Sequence, residues 1–316
     1  MRVEDSNLSQ GLIDLLADLK ETFDTFSQLT IDEKRSTLSS MYPLKSKQID
    51  VNKVEDQIVE IDNLSIPIRV YVNSPKKNIP ILVYFHGGGW VLGDLNAQDR
   101  FCRLVATTYE CVVISVDYRL APENKFPAAI EDATTILKWL QQNKNGWDWS
   151  RIITAGDSAG GNISAVVSKL HNKAFPNNRI LHQIMIYPVT DLTNFDRTSY
   201  LEYAKGYALD RDEMEWYAEQ YLPNLEIAKD PRVSPLLDIE FNGYSPTTLF
   251  IAGCDVLHDE AIAFGSKLME SNIDVTLFDF ENMMHSFLRF FDFDPNANKC
   301  INEIVDRIGQ IWNHSS

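Results

Sequence analysis

The sequence predicts an α/β fold in which helices cover both faces of a mostly parallel central sheet. From about residue 57 onward, short apolar runs alternate with longer segments of helical periodicity, a pattern that is typical of such folds. Two glycine clusters, HGGGW at 86–90 and GDSAG at 156–160, each follow one of the apolar runs. Because ligands bind at the carboxyl ends of the strands in these sheets, the two clusters indicate one shared site.

The N-terminal part of the chain predicts helices that pack on the sheet domain. Its apolar residues recur at helical spacing and predict one amphipathic helix; they are Leu8, Leu12, Leu15, Leu16, Leu19, Phe23 and Phe26. A second helix is predicted to start near Thr30, where Glu33 stands at the position of a capping-box partner. The pattern is compatible both with simple packing on the protein body and with covering a site.

The rest of the chain predicts strands and helices in alternation. The predicted strands are IPIRVYV, IPILVYFHGG, CVVISVDY, RIITAGD, HQIMIYPV, PTTLFIAG and VTLFDF. The predicted helices are AQDRFCRLVATTY, PAAIEDATTILKWLQQN, SAGGNISAVVSKLHN, HDEAIAFGSKLMES and NKCINEIVDRIGQIW. Between Thr190 and about Arg232 the alternation lapses into a segment of acids and aromatic rings, which predicts an insertion over the sheet. Those rings either form a small core of their own or contact substrate.

Charge and composition narrow the classes of partner. The formal charge of −16, without clustered Lys and Arg, argues against nucleic acid and favours neutral or cationic ligands. The four cysteines show neither metal-site spacing nor a disulfide framework, so we expect free thiols and a cytoplasmic protein; they are Cys102, Cys111, Cys254 and Cys300. Acids interrupt the apolar residues near the N-terminus, so no signal peptide is predicted, and no apolar run is long enough to span a bilayer.

The GDSAG cluster predicts a serine nucleophile. Ser158 stands between a strand and a helix of small residues, with Gly156 and Gly160 two positions away on either side. So sharp a turn strains the serine backbone, and side chains at the flanking positions would collide. The hydroxyl is then held above the sheet, close to the free N–H groups of the helix N-terminus.

A base and an acid that could activate Ser158 follow it in the chain. In hydrolases built on this turn, the order along the chain is Ser, then Asp or Glu, then His. Asp255 directly follows the strand TTLFIAGC, and His285 lies in the loop after the next strand. The rival acid is Asp259 and the rival base is His258, which shares the loop of Asp255. We prefer His285 because a base on a separate loop can approach the serine and the acid from opposite sides.

The remaining histidines have other predicted places. His171 and His314 lie in polar settings and are predicted to be solvated. His182 precedes a strand and is predicted to be structural, whereas His86 precedes Ser158 and opens the other glycine cluster. None of these four is therefore a candidate base.

The HGGGW cluster predicts hydrogen-bond donors for a negative oxygen. Attack on an acyl carbonyl creates such an oxygen, and each donor already pointing at it can be worth about 3 kcal/mol. Gly87, Gly88 and Gly89 offer unobstructed backbone N–H groups, and Ala159 offers another. A phosphate-binding loop is the alternative, but GGGW lacks the Lys-Ser/Thr ending and the G-x-G-x-x-G spacing of such loops.

These motifs resemble those of the hormone-sensitive-lipase family of α/β-hydrolase carboxylesterases, over roughly residues 57–290. The likeness rests on HGGGW, GDSAGG, DYRLAPENKFPAAIEDA, DPRVSPL, CDVLHDE and HSF. The resemblance implies an α/β-hydrolase fold with a helical cap, a nucleophile at Ser158, and Asp255 and His285 as its partners. It also implies an oxyanion hole made by the N–H groups of Gly87, Gly88 and Ala159.

The resemblance further implies a division of the chain. Residues 1–50 are expected to form an N-terminal helical cap segment, and residues 51–316 the catalytic domain with a cap insertion at about 191–232. Two motifs depart from the family: Asp-Pro-Leu is Asp255-Val256-Leu257 here, and His-Gly-Phe is His285-Ser286-Phe287. Neither departure removes a catalytic group, but a looser acid loop and an added side chain beside the base are expected to alter the fit. Arg119 in DYRLAPE is interpreted as a partly buried ion-pair partner and not as a catalytic group.

The predicted function is a serine carboxylesterase that hydrolyses short- to medium-chain acyl esters through an acyl-enzyme, without metal or organic cofactor. An amidase or deacetylase with the same machinery is the alternative. A lipase is disfavoured by the acidic cap, and a non-catalytic ligand-binding relative by the presence of all three catalytic residue types. The expected partner is a small ester molecule, without nucleic acid or integral membrane association, and the sequence is compatible with a homodimer.

Overall fold

The central sheet is mostly parallel. The structure is a computed structural model that describes residues 7–41, 48–142, 146–291 and 293–314. Within these residues the strands are β1 (Lys53–Ile61), β2 (Leu64–Val72), β3 (Ile81–Phe85), β4 (Val112–Val116), β5 (Ile152–Asp157), β6 (His182–Ile186), β7 (Thr247–Cys254) and β8 (Val275–Met284). Their order across the sheet is β1-β2-β4-β3-β5-β6-β7-β8. Since β2 pairs antiparallel with β1 and β4 and the other pairs are parallel, the predicted sheet is confirmed.

The central strands are buried because their sequences are apolar on both faces. Every residue of β3, β4, β5 and β6 is buried. Strand β1 is not among the predicted strands. Its sequence KVEDQIVEI is largely charged, and its residues are mostly exposed at the sheet edge. A tight turn joins β1 to β2 through Asp62 and Asn63, whose φ angles of 50° and 64° are those of a hairpin turn.

Helices cover the sheet from both sides. Those in the described residues are α1 (Gln10–Asp18), α2 (Lys20–Phe26), α3 (Ile31–Met41), α4 (Asp99–Thr108), α5 (Ala128–Gln142), α6 (Ala159–Ala174), α7 (Thr198–Glu202), α8 (Arg211–Tyr221), α9 (His258–Glu270) and α10 (Pro295–His314). From α4 onward, helices follow strands as predicted. In the part of the chain that the structure describes, no helix combines the length and the apolar character needed to cross a membrane.

The prediction of one N-terminal amphipathic helix is wrong, because the chain breaks it at Leu19 (φ −93°, ψ 1°) into α1 and α2. The break lets the two segments join different hydrophobic clusters: Leu12 and Leu15 pack in the cluster of α10, and Phe26 packs in the cluster of α5.

The predicted capping box at the start of α3 is confirmed. The Thr30 N–H donates to Glu33 at 2.8 Å, and the Glu33 N–H donates to the Thr30 hydroxyl at 3.3 Å.

Alternate residues of the central strands enter separate cores. In β3, Ile81, Val83 and Phe85 lie in one cluster, whereas Leu82 and Tyr84 lie in the other. This period of two is expected when both faces of a sheet are covered. Both faces of the sheet are therefore packed with helices.

The segment after β6 departs from the strand–helix alternation, as predicted. It contains α7, α8 and a 3₁₀ turn at Leu225–Lys229. A reciprocal capping box of Asp210 and Glu213 begins α8. Several of its rings are packed inside the protein: Tyr200, Tyr207, Tyr217 and Tyr221 are buried.

Of the predicted N-terminal segment 1–50, residues 1–6 and 42–47 lie outside the described residues.

Candidate active site

Ser158 lies on a strained turn between β5 and α6. Its backbone adopts φ 55° and ψ −120°, a conformation that side-chain-bearing residues rarely take and that marks functional turns. A Cβ on Gly160 would lie 1.9 Å from the carbonyl oxygen of Phe85, and one on Gly156 would lie 2.3 Å from the Gly160 backbone. Both glycines are thus required by close backbone approach, and the Ser158 side chain borders a cavity.

The structure brings the three predicted partners into one hydrogen-bonded chain. The Ser158 hydroxyl oxygen lies 3.0 Å from Nε2 of His285, and Nδ1 of His285 lies 2.6 Å from Oδ2 of Asp255. Oδ1 of Asp255 accepts the N–H of Leu257 at 2.9 Å, which orients the carboxylate. The three side chains are buried, and they follow three different strands, β5, β7 and β8.

The rival base and acid interact with other groups. Nε2 of His258 lies 3.1 Å from Asp279, and its Nδ1 lies 3.3 Å from Asp259. Asp259 also accepts the N–H of Ser199 at 3.0 Å. The hydrogen bond to Asp279 is the main reason why the pKa of His258 is raised to about 9. His258 therefore serves as an ion-pair partner on α9.

We expect the ion pairs of His258 to make a pH-dependent contribution to stability. Because its folded pKa of about 9 lies above the unfolded value, the contribution is full below about pH 6.5 and is lost as the pH rises through 9. His258→Gln should lower the free energy of unfolding by about 1 kcal/mol near pH 6 and by much less above pH 10. Urea unfolding at several pH values measures this difference, with His314→Gln at the exposed C-terminus as control. A penalty that is the same at every pH would contradict the assignment.

The other histidines are structural or peripheral. The prediction that His171 is solvated is wrong: it is buried in α6, with Nε2 3.1 Å from the carbonyl oxygen of Asn178, and burial lowers its pKa. The local sequence is polar, but α6 packs on the sheet and carries this side chain inside. His182 opens β6 and contacts Thr248 at 2.9 Å, and burial lowers its pKa to about 3. His314 is exposed, as predicted.

The glycine loop after β3 contains one N–H group that is already hydrogen-bonded within the protein. The N–H of Gly87 donates to Oδ1 of Asp157 at 2.9 Å. This hydrogen bond argues against the predicted role of Gly87 as an oxyanion donor. Gly88 and Gly89 border the cavity together with Ser158. Their φ values of 121° and 59° favour glycine, and Gly89 is the one glycine of the loop that the resemblance does not include in the oxyanion hole.

The cavity beside Ser158 has a volume of about 490 Å³. Residues of both predicted cap segments line it. From the N-terminal helices come Thr22, Phe26, Leu38 and Ser39, and from the segment around α8 come Leu209, Glu213, Met214 and Tyr217. The Tyr217 ring lies against the backbone of Gly89 and borders the cavity, so this ring of the insertion is available for contact with a substrate. The Tyr221 ring instead stacks on Trp90 at 4.2 Å and is a core contact.

Charged groups also border the cavity. Arg100, Arg103 and Asp99 contribute from α4, and Arg289 from the turn after His285. Nε of Arg103 lies 2.6 Å from Oδ2 of Asp99 in an ion pair. Glu213 also borders the cavity, and burial raises the pKa of its carboxyl group. Within the described residues, no group of three His, Cys, Asp or Glu side chains is arranged to hold a metal ion.

The structure also shows the surroundings of Arg119 and of the two positions that depart from the family motifs. Arg119 donates to Asp132 at 2.9 Å and is an ion-pair partner, as predicted. Val256 is fully buried, and its carbonyl oxygen accepts the Ser199 hydroxyl at 2.6 Å, so the acid loop is held in place here. Ser286 borders the cavity in a left-handed conformation (φ 62°), which explains why glycine suits this position.

Comparison with known proteins shows the family to which the chain belongs. The sequence model of a family described as having the α/β hydrolase fold matches residues 82–289. The chain is 36% identical to carboxylic ester hydrolase LipN of Mycobacterium tuberculosis (strain ATCC 25618 / H37Rv), over 77% of this chain and 66% of LipN. It is also 36% identical to carboxylesterase NlhH of Mycobacterium tuberculosis (strain CDC 1551 / Oshkosh), over 75% of this chain and 76% of NlhH.

A solved structure extends the likeness to nearly the whole chain. The esterase of Pyrobaculum calidifontis, in its monoclinic form, superposes with a TM-score of 0.86 at 31% identity, covering 96% of this chain and 99% of that one. Family match, sequence relatives and structural neighbour agree with one another. This chain therefore belongs to the α/β-hydrolase fold family, as a carboxylic ester hydrolase of the hormone-sensitive-lipase type.

Proposed function

We propose that this ester hydrolase acts through Ser158, His285 and Asp255 by way of an acyl-enzyme. The observation that carries the proposal is the hydrogen-bonded chain from the serine hydroxyl through the imidazole to the carboxylate, with links of 3.0 and 2.6 Å. Such a chain lets a neutral imidazole accept the serine proton while the carboxylate stabilises the imidazolium that results.

In the acylation step, the Ser158 oxygen attacks the ester carbonyl carbon, and Nε2 of His285 takes the hydroxyl proton. The carbonyl oxygen becomes an oxyanion, and we assign its donors to the N–H groups of Gly88, Gly89 and Ala159. Gly88 and Gly89 border the cavity, and Ala159 is the first residue of α6, whose N–H has no partner within the helix. The imidazolium then gives its proton to the leaving alcohol as the carbon–oxygen bond breaks.

In the deacylation step, a water molecule takes the place of the alcohol. His285 removes one proton from the water as its oxygen attacks the acyl-enzyme carbonyl. Collapse of the second tetrahedral intermediate returns the proton to Ser158 and releases the carboxylic acid. Asp255 keeps the imidazole oriented in both steps, and no cofactor takes part.

We further propose that the described residues of the N-terminal segment, 7–41 and 48–50, form a cap over the catalytic domain together with the segment 191–232. In support, Arg35 of α3 donates to the carbonyl oxygen of Val91, just after the glycine loop, at 3.0 Å, and pairs with Glu123 at 2.8 Å. Lys34 of the same helix lies 5.2 Å from the Trp216 ring of α8. These contacts tie the N-terminal helices both to the glycine loop and to the insertion.

The dimensions and charge of the cavity support short- to medium-chain acyl esters as substrates. Its volume of about 490 Å³ must hold both sides of the ester, and charged residues of α4 border it. A long alkyl chain would have to leave the apolar part of the wall, contributed by residues such as Phe26 and Leu209, and desolvate the arginines.

A panel of p-nitrophenyl esters from acetyl to dodecanoyl tests the substrate class. We expect kcat/KM to peak among the short chains and to fall by about tenfold or more at dodecanoyl, because a twelve-carbon chain would reach the charged residues of the wall. The matching p-nitroanilides serve as controls for amide cleavage, the alternative reaction. A maximum at dodecanoyl would contradict the chain-length proposal, and faster cleavage of the anilides would replace the esterase by an amidase.

The cysteines support a place for the protein in a reducing compartment. All four are free and buried, and burial raises the pKa of each thiol. Buried protonated thiols are inert and form no disulfide framework. We propose a cytoplasmic location on this ground.

A further inference from the structure

The residue before the nucleophile is a buried carboxylate that receives four hydrogen bonds from other parts of the chain. Asp157 ends β5 and is 1% exposed. Its Oδ1 accepts the Tyr84 hydroxyl at 2.7 Å and the Gly87 N–H at 2.9 Å. Its Oδ2 accepts the amide of Gln98 at 3.2 Å and the Tyr187 hydroxyl at 3.4 Å.

All four donors are uncharged groups that can only donate to this carboxylate. Burial raises the pKa of Tyr84 and Tyr187 well above the ordinary phenol range, so both hydroxyls keep their protons. A buried carboxylate is costly, and removing even one of its donors would leave it under-satisfied. The four hydrogen bonds therefore hold their parent segments at defined positions around Asp157.

Those segments carry the candidate catalytic groups. Gly87 begins the loop that continues into Gly88 and Gly89, and a Cβ on Gly87 would lie 2.5 Å from Oδ2 of Asp157, so loop and carboxylate are in direct contact. The Tyr187 ring packs on the His285 ring with centroids 4.8 Å apart. Asp157 itself is covalently linked to Ser158. One carboxylate thus connects the nucleophile, the oxyanion loop and the tyrosine ring that packs on the base.

We propose that Asp157 is a positioning residue for the oxyanion hole. By accepting the Gly87 N–H, it turns the next two peptide groups so that the N–H groups of Gly88 and Gly89 face the substrate oxygen above Ser158. This inference rests on the proposed function, because it assumes that a tetrahedral oxyanion forms at this place. It assigns the Gly87 N–H a structural task instead of the catalytic one that the sequence predicts.

The consequence is a loss of turnover without an equal loss of substrate binding. Asp157→Ala is expected to lower kcat for p-nitrophenyl butyrate by about 100-fold, the scale of one oxyanion donor, while KM stays within about threefold. Asp157→Asn keeps one acceptor oxygen for the Gly87 N–H, but it places its own NH2 group next to the NH2 group of Gln98, so that two donors face each other. It should therefore recover about tenfold of the lost kcat.

The matched control is Asp238→Ala, which removes another buried carboxylate, one that pairs with Lys169 away from the cavity. Thermal unfolding of all variants separates the general cost of losing a buried carboxylate from the effect on the loop. A second readout is the rate at which a p-nitrophenyl phosphonate modifies Ser158. The phosphoryl oxygen of the phosphonate gains negative charge in the transition state, as the carbonyl oxygen of an ester does, so this rate also depends on the oxyanion hole. We expect this rate to fall in parallel with kcat.

The outcomes separate the two proposals. If the wild type hydrolyses the ester and both Asp157 variants keep kcat within about threefold of Asp238→Ala, the positioning role is wrong. The same holds if Asp157→Asn is no better than Asp157→Ala, or if KM rises as much as kcat falls. If instead the wild type is no more active than Ser158→Ala, the proposed function itself fails, whatever the Asp157 variants do.

Discussion

Replacing Ser158 with alanine is expected to lower kcat for p-nitrophenyl butyrate by about 10⁴-fold or more, because the acyl-enzyme can no longer form. His285→Ala should cost a similar factor, since without its base the hydroxyl stays protonated. Steady-state kinetics of the purified variants, with active sites of the wild type titrated by a phosphonate, measures both losses.

The double variant sharpens this result. Groups that act as one unit lose activity non-additively, so Ser158→Ala combined with His285→Ala should be no slower than either single variant. His258→Gln is the matched control, because this imidazole pairs with Asp279 and Asp259 and should keep kcat within about threefold of the wild type. Losses that multiply in the double variant, or a His258 variant as slow as the His285 variant, would contradict the assignment.

The second large effect concerns folding. Gly160→Ala is expected to destabilise the protein by more than about 4 kcal/mol, enough to abolish soluble expression of a marginally stable domain. The added Cβ would lie 1.9 Å from the carbonyl oxygen of Phe85, a backbone atom that can move only if α6 separates from β3. Soluble yield and urea unfolding of the purified variant measure the effect.

Gly265→Ala provides the control for a helical glycine. Its Cβ would meet two side-chain methyl groups, Cδ1 of Leu249 at 2.7 Å and Cδ1 of Leu277 at 3.7 Å, and the closer methyl can rotate away. The better helix propensity of alanine offsets this contact, so we expect a change within about 1 kcal/mol. If Gly160→Ala unfolds at the same urea concentration as Gly265→Ala, the close approach of α6 and β3 is not what requires glycine.

Much of the candidate site could be predicted because its residues have clear local signals. Ser158 stands between two glycines at a strand–helix junction, and Asp255 and His285 each follow an apolar strand. Parallel strands end at the same edge of a sheet, so residues at three strand ends converge although they are far apart in the chain. The three glycines of the loop carry no such local signal, because the direction of each N–H group depends on the tertiary partners of the loop.

The misses have a common physical origin. His171 appears in a polar run, yet α6 carries it into the protein, because burial of a helical residue depends on which face meets the sheet. The N-terminal apolar spacing continues through Leu19 without interruption, but α1 and α2 separate because they pack in different clusters. In both cases the local pattern is compatible with several tertiary environments.

By itself, the sequence determined the α/β class, the strand–helix order and the three residues whose side chains meet beside the cavity. Periodicity and glycine placement are local properties of the chain, and they suffice for these features. Only the tertiary structure decided that Asp157 accepts the Gly87 N–H, that Gly89 borders the cavity, and that two distant segments contribute residues to its wall. The direction of a backbone N–H depends on a carboxylate seventy positions away, and contacts of that range leave no periodic mark in the sequence.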